Sequence, residues 1–265
     1  MKILIVADIH YALPQFDWLV GAAPAYDLVI VAGDLLDTNS LVDPGTQIVV
    51  VLKYLQRLRS ITRLVVCSGN HDLDAPRADG EMHARWLGTV KRMGIPADGD
   101  TLFAGDLMIS ICAWWDGPLT QVAIAEQLTA AAVYRDGPWL WVYHAPPPDS
   151  PVSWSGQRTY GDAALNGWIA RHHPDFVVSG HVHEAPFARN GSWVDRIGDT
   201  WLFNPGRQIG DIPTTIAIDT EAREAAWFSL EGAESARLDQ PLLRPLSPLA
   251  AMPEWLDRPR AANPS

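Results

Sequence analysis

The order of apolar runs along the chain predicts a mixed α/β fold built on two packed sheets. Two observations carry that expectation. Over the first two-thirds, short runs rich in Val and Ile alternate with stretches of helical spacing, the pattern of parallel strand–helix units. Over the last third, strand-like runs follow one another with only turns between, the pattern of antiparallel hairpins.

The predicted strands are Lys2–Ala7, Leu28–Ala32, Arg63–Cys67, Leu107–Ala113, Trp139–Tyr143 and Phe176–Ser179, then Ser192–Ile197, Thr200–Phe203, Thr214–Ile218 and Ala225–Leu230. Thr46–Arg59 places Ile48, Val49, Leu52, Leu55 and Leu58 at helix-like spacing, and Glu81–Met93, Thr120–Tyr134 and Asp162–Arg171 follow the same logic. Residues 1–230 read as one domain. From about Glu231 the pattern changes, and Pro241, Pro245, Pro248, Pro253, Pro259 and Pro264 bar long helices and interior strands. Residues 231–265 are therefore expected to form a proline-rich tail, partly packed through Leu242, Leu243 or Trp255.

Bulk composition narrows the function classes. Acidic side chains number 31 against 20 basic, a formal net charge of −11, which disfavours extended nucleic acid as a partner. No apolar run approaches the roughly 18 residues a membrane span needs, and Met1–Ala7 leads straight into polar residues, unlike a signal peptide. Cys67 and Cys112 sit inside apolar runs and are expected to be buried thiols in a cytoplasmic protein.

The chemistry collects at the strand ends. Asp8-Ile9-His10, Gly33-Asp34-Leu35-Leu36-Asp37, Gly69-Asn70-His71-Asp72, His144 and Gly180-His181-Val182-His183 each directly follow an apolar run. In open α/β sheets ligands gather outside the carboxyl ends of the strands. Carboxylate, imidazole and amide oxygen without thiolate suit a divalent ion such as Mn, Fe or Zn. Asp-x-His and His-x-His place two donors on one side of an extended strand end, because side chains alternate with period two. A carboxylate between two cations can bridge them, and Asp34 is the candidate.

These ordered blocks, D-x-H, G-D-x-x-D, G-N-H-D, H and G-H-x-H, resemble the calcineurin-like metallophosphoesterase superfamily. Asn204-Pro205-Gly206 extends the resemblance to a later N-P-G turn. The resemblance implies a four-layer α-β-β-α sandwich with two mixed central sheets and a dimetal site at the strand C-terminal ends. It implies one metal on Asp8, His10, Asp34 and His183, and another on Asp34, Asn70, His144 and His181. His71 would act near the leaving group, oriented by Asp72, while Asp37 would support its loop.

Two divalent ions, Mn2+ favoured with Fe, Zn, Ni or Co as options, would sit about 3.5–4 Å apart and generate hydroxide for in-line attack on phosphorus. The expected substrate is a small phosphate ester, with phosphodiester favoured over phosphomonoester. The alternatives are a nuclease of the same superfamily and a catalytically idle binding scaffold. Trp114, Trp115 and Trp154 are candidates to wall the cleft, and Arg207 to touch phosphate; ordinary packing or a surface ion pair is the competing role for each. His83, in a predicted helix, and His172-His173, before Pro174, are read as structural.

Overall fold

The computed structural model describes residues 1–258 and 260. In chain order the strands are β1 (Lys2–Val6), β2 (Leu28–Ala32), β3 (Arg63–Cys67), β4 (Ala75–Pro76), β5 (Met82–His83), β6 (Thr101–Ala104), β7 (Leu107–Ile111) and β8 (Trp139–Val142). They continue as β9 (Phe176–Val178), β10 (Val194–Ile197), β11 (Thr200–Phe203), β12 (Thr215–Asp219), β13 (Glu224–Phe228), β14 (Ala233–Arg237) and β15 (Ser247–Pro248). The α-helices are α1 (Leu13–Ala22), α2 (Pro44–Ile61), α3 (Leu87–Arg92), α4 (Pro118–Ala132) and α5 (Ala163–His172).

A seven-stranded sheet runs in the order β15-β14-β13-β12-β1-β2-β3, and a six-stranded sheet in the order β10-β11-β9-β8-β7-β6. Parallel pairs β1–β2, β2–β3, β7–β8 and β8–β9 come from the alternating part of the chain. The later hairpins β10–β11, β12–β13 and β13–β14 are antiparallel.

Alternation along the strands builds the layers. Ile3, Ile5 and Ile30 face Ile109, Leu140 and Val142 between the sheets. On the far side of the first sheet, Leu4, Val6, Val29 and Val31 pack against Phe16 and Leu19 of α1 and Val51, Leu55 and Leu58 of α2. On the far side of the second, Met108, Trp139, Trp141 and Val177 pack against Ile124 and Leu128 of α4 and Leu165 and Ile169 of α5. The result is the four-layer α-β-β-α sandwich. No helix among the described residues is long and apolar enough to cross a membrane.

Three segments depart from the expectation. Helix α1 follows Ala12, which offers no capping side chain, so nothing polar marks its start. The predicted helix Glu81–Met93 is helical only over Leu87–Arg92. Glu81 instead caps α4 from a distance, its carboxylate accepting from the Leu119 and Thr120 amides at 2.7 and 2.8 Å, and Met82–His83 pairs with Ala75–Pro76. The stretch after Glu231 is not simply a tail: Ala233–Arg237 holds no proline and joins the first sheet as β14, and Ser247–Pro248 pairs with it. Trp255 is buried and Leu242 packs on the inter-sheet core, whereas Leu243 is 77% exposed.

Candidate metal centre

The turn after β1 and the turn after β2 are zipped together by backbone hydrogen bonds, Asp8 N–H to Gly33 O (3.1 Å) and His10 N–H to Asp34 O (2.9 Å). Asp8, His10, Asp34 and His181 all take positive φ, at 55, 45, 52 and 70°, a sparsely populated region for side-chain-bearing residues that clusters at functional sites. Gly33 (φ +89°) stands where a Cβ would lie 2.3 Å from His144 Nδ1, and a Cβ on Gly69 would lie 2.1 Å from Asp34 Oδ1. Glycine at 33 lets the rims of the two sheets meet, and glycine at 69 lets two neighbouring turns of the first sheet meet.

Within that rim the donors converge. His183 Nε2 lies 3.3 Å from Asp8 Oδ1 and 3.1 Å from His10 Nε2, and His10 Nε2 lies 3.5 Å from Asp34 Oδ2. His144 Nε2 is 3.3 Å from the same Asp34 Oδ2. Asp34 Oδ1 accepts the His71 amide at 2.9 Å, which leaves Oδ2 to face both histidines. His181 Nδ1 is 2.9 Å from Asn70 Oδ1. Donor atoms of Asp8, His10, Asp34 and His183 lie within 4.8 Å of one another, as do those of Asp34, His144 and His181, so Asp34 belongs to both groups.

The electrostatics suit cations. The His144 ring uses Nδ1 on the carbonyl of Ala32 at 2.6 Å, while its buried Nε2 has no hydrogen-bond partner among the described residues. Buried polar atoms of that kind call for an explanation, and an ion is one. Burial opposes charge on His144, yet the Asp34 and Asp8 carboxylates outweigh it and raise its pKa to about 10. Burial alone would raise the Asp8 carboxyl, but His144 first, then His10 and His183, hold it below the usual carboxylate range. Burial and then His144 push His181 down to about 4, leaving a neutral imidazole able to ligate. A donor set of carboxylates, imidazoles and one amide oxygen fits divalent cations.

His71 sits edge-on to His10, ring centroids 4.4 Å apart. Its expected partner is corrected: Asp72 does not orient it. Asp72 follows His71 in a tight turn that aims its buried carboxylate backwards, onto the amides of Leu36 (3.0 Å), Leu35 (3.1 Å) and Gly69 (2.8 Å). Burial and then Asp34 raise its pKa to about 8. The groups at His71 Nδ1 are instead the amide and hydroxyl of Thr38, at 3.2 and 2.8 Å, and Asp37 Oδ1 at 3.9 Å. Thr38 carries no motif signal in the sequence; its neighbour Asp37 does.

Trp114 reaches the rim, its ring 5.0 Å from that of His181 and 5.5 Å from that of His144. Trp115 packs against the outer core of the second sheet with its indole N–H buried, and Trp154 donates to Arg189 O at 2.9 Å. Arg207 is tied to the rim by its amide, which donates to His183 O at 3.1 Å. Asn204 braces the same loop, its amide group donating to Val182 O at 3.0 Å between His181 and His183. His83 Nδ1 lies on Ala75 O, His172 packs near Trp139 and Trp141, and His173 ends α5. Cys67 and Cys112 are free and buried.

A crystal structure of a Thermus thermophilus protein matches with a TM-score of 0.57 at 14% identity, covering 89% of this chain and 98% of that one. A purple acid phosphatase from yellow lupin matches with a TM-score of 0.52 at 12% identity, covering 90% of this chain and 52% of that one. A dimetal phosphatase from Danio rerio matches with a TM-score of 0.51 at 10% identity, covering 86% and 95%. At such identities these likenesses speak to the fold. No curated protein matches. A family model described as calcineurin-like phosphoesterase matches residues 1–185, a span that contains Asp8, His10, Asp34, Asn70, His144, His181 and His183. The chain belongs to the calcineurin-like phosphoesterase family.

Proposed function

We propose that the chain hydrolyses a small phosphate ester, a phosphodiester in preference to a monoester, with Asp8, His10, Asp34 and His183 holding one divalent cation and Asp34, Asn70, His144 and His181 holding a second. The observation that carries the reading is the shared carboxylate: Asp34 Oδ2 lies 3.5 Å from His10 Nε2 and 3.3 Å from the buried His144 Nε2. Bound there, two cations would supply Lewis acidity that activates water and neutralises charge on the phosphoryl group. Mn2+ is the favoured pair, and two buried free thiols accord with a cytoplasmic setting.

The chain's own residues do the rest. The Thr38 amide donates to His71 Nδ1, so a neutral His71 carries its proton on Nε2. That N–H is the group to hydrogen-bond the departing ester oxygen and stabilise the charge that builds on it, the proton itself coming from water. Asp72 positions this machinery through the Leu35, Leu36 and Gly69 amides and does not touch the reacting atoms. Trp114, against His144 and His181, offers a flat apolar wall beside the second donor group, which supports a diester with a planar leaving group. Arg207, whose amide is held on His183 O at 3.1 Å, is the residue we assign to a phosphoryl oxygen.

The test is turnover of bis-p-nitrophenyl phosphate and p-nitrophenyl phosphate with Mn2+, Fe2+, Zn2+, Ni2+ or Co2+, extended to cyclic nucleotides and dinucleotides. Diester turnover exceeding monoester turnover is the expected result. Binding of two Mn2+ per chain without hydrolysis of any ester would overturn the enzyme reading in favour of a binding scaffold.

A further inference from the structure

The segment from Pro96 to Asp100 laces the two sheets together beside the rim. Pro96 O accepts the Val66 amide of β3 at 3.1 Å, the Gly99 amide donates to Ile111 O of β7 at 2.8 Å, and Asp100 O accepts the Ile111 amide at 2.9 Å. Asp98 lies at the middle of this lace, and its carboxylate takes both polar hydrogens of Ser68, the amide at 2.8 Å and the hydroxyl at 2.6 Å. The Ser68 hydroxyl oxygen in turn accepts the Trp114 amide at 2.9 Å. Ser68 is fully buried and immediately precedes Gly69-Asn70-His71. Asp98, Ser68 and Trp114 thus form one continuous chain of hydrogen bonds from the first sheet's metal-face turn to the second sheet's aromatic wall.

From this geometry we infer that Asp98 is a positioning residue which, through Ser68, sets the distance between the Asn70–His71 turn and the Trp114 wall. A hydroxyl is required at the junction because one group must donate to a carboxylate and accept from an amide at once. Burial pushes the Asp98 carboxyl up to about 6, against the pull of both Ser68 bonds and of Lys91 and Arg77. Hydrogen bonds to a charged acceptor are about twice as strong as neutral ones, and coupling across such a network is measured by a double-mutant cycle. The effect on turnover rests on the phosphoesterase reading; the coupling of the two loops does not.

The experiment compares Ser68→Ala, Asp98→Ala, Asp98→Asn and the Ser68→Ala/Asp98→Ala double variant with the wild-type chain. Hydrogen exchange read by mass spectrometry on peptides spanning residues 66–72 and 110–116 is the direct readout, with Mn2+ affinity and kcat against bis-p-nitrophenyl phosphate beside it. Ser68→Ala should speed exchange in 110–116, and Asp98→Ala in both peptides, with Mn2+ affinity reduced about tenfold, the lower end for a group that supports a metal ligand. The double variant should be no worse than Asp98→Ala alone, and Asp98→Asn, which keeps one acceptor, should fall between. Unchanged exchange in 110–116 for Ser68→Ala, or additive losses in the double variant, would overturn the inference. A wild-type chain that turns over no ester while these exchange changes appear would sink the phosphoesterase reading and leave the positioning role standing.

Discussion

The metal-face rim and the C-terminal segment of this molecule are both dense in buried polar contacts, yet they are built in opposite ways. In the C-terminal segment the buried polar groups have ordinary partners. Trp255 is buried and donates its indole N–H to Glu224 at 3.1 Å, Arg258 pairs with Asp219 at 2.8 Å, and the buried Lys2 ammonium is met by the Leu256 and Arg258 carbonyls. In the rim, non-glycine residues are held at positive φ, two imidazole Nε2 atoms stand 3.1 Å apart, and His144 Nε2 has no hydrogen-bond partner among the described residues. One region uses its contacts for stability. The other gives up stability to hold donors where a cation wants them, the usual cost of a functional site.

The sharpest way to break that contrast is Asp34→Asn. If the shared carboxylate joins the two donor groups, kcat should fall by more than about 100-fold, since even residues that only support metal ligands cost 10–100-fold. Circular dichroism should remain that of the native chain. Full activity with two bound Mn2+ per chain would remove the bridging assignment.

Metal addition probes the same difference from the side of stability. A ligand that binds only the folded state stabilises it by about 2.7 kcal/mol at 100 times its Kd, so Mn2+ should raise Tm in the wild type by several degrees. Asp34→Asn should abolish most of that rise, whereas a change in the C-terminal segment should leave it intact. Thermal scans with and without chelator read both outcomes.

His71→Ala should have an effect that depends on the substrate. If His71 helps the departing oxygen, loss of turnover should be about 100-fold or more for alkyl leaving groups, in the range for removing one donor to a developing oxyanion, and much smaller for p-nitrophenolate, which needs little help. Equal losses across leaving groups would make His71 a scaffold for the rim instead.

How much of this was legible in the chain follows from what each feature depends on. The convergence of Asp8, His10, Asp34, Asn70, His144, His181 and His183 on one rim could be read because each follows an apolar run and so lies at a strand end. The partner of His71 could not, because the tight turn at Asn70–Asp72 decides which way Asp72 points. Nor could the distant capping of α4 by Glu81, which is set by tertiary packing across 38 residues. Trp114 and Trp115 are neighbours in sequence, yet of the two it is Trp114 that packs against rim histidines. Helix α1 lacks a polar start, and β14 lies so close to the prolines that composition hid it.

Trp255→Ala completes the contrast with the smallest expected effect on turnover. The indole fills a small cluster with Ala217 and Ala226 on the outer face of the first sheet, away from the strand ends that carry the donors. Deleting a buried tryptophan costs about 3–5 kcal/mol in a well-packed core, and this cluster, smaller and partly covered by Leu256 and Tyr26, should lose toward the low end of that range. Urea unfolding should therefore show a lowered midpoint with little change in slope, while kcat and Mn2+ affinity measured at low temperature stay within about twofold of wild type, as for independent sites. A large fall in kcat at conditions where the variant is fully folded would mean that the C-terminal segment acts on the rim, and that the division between a stabilising region and a strained, ion-directed one does not hold.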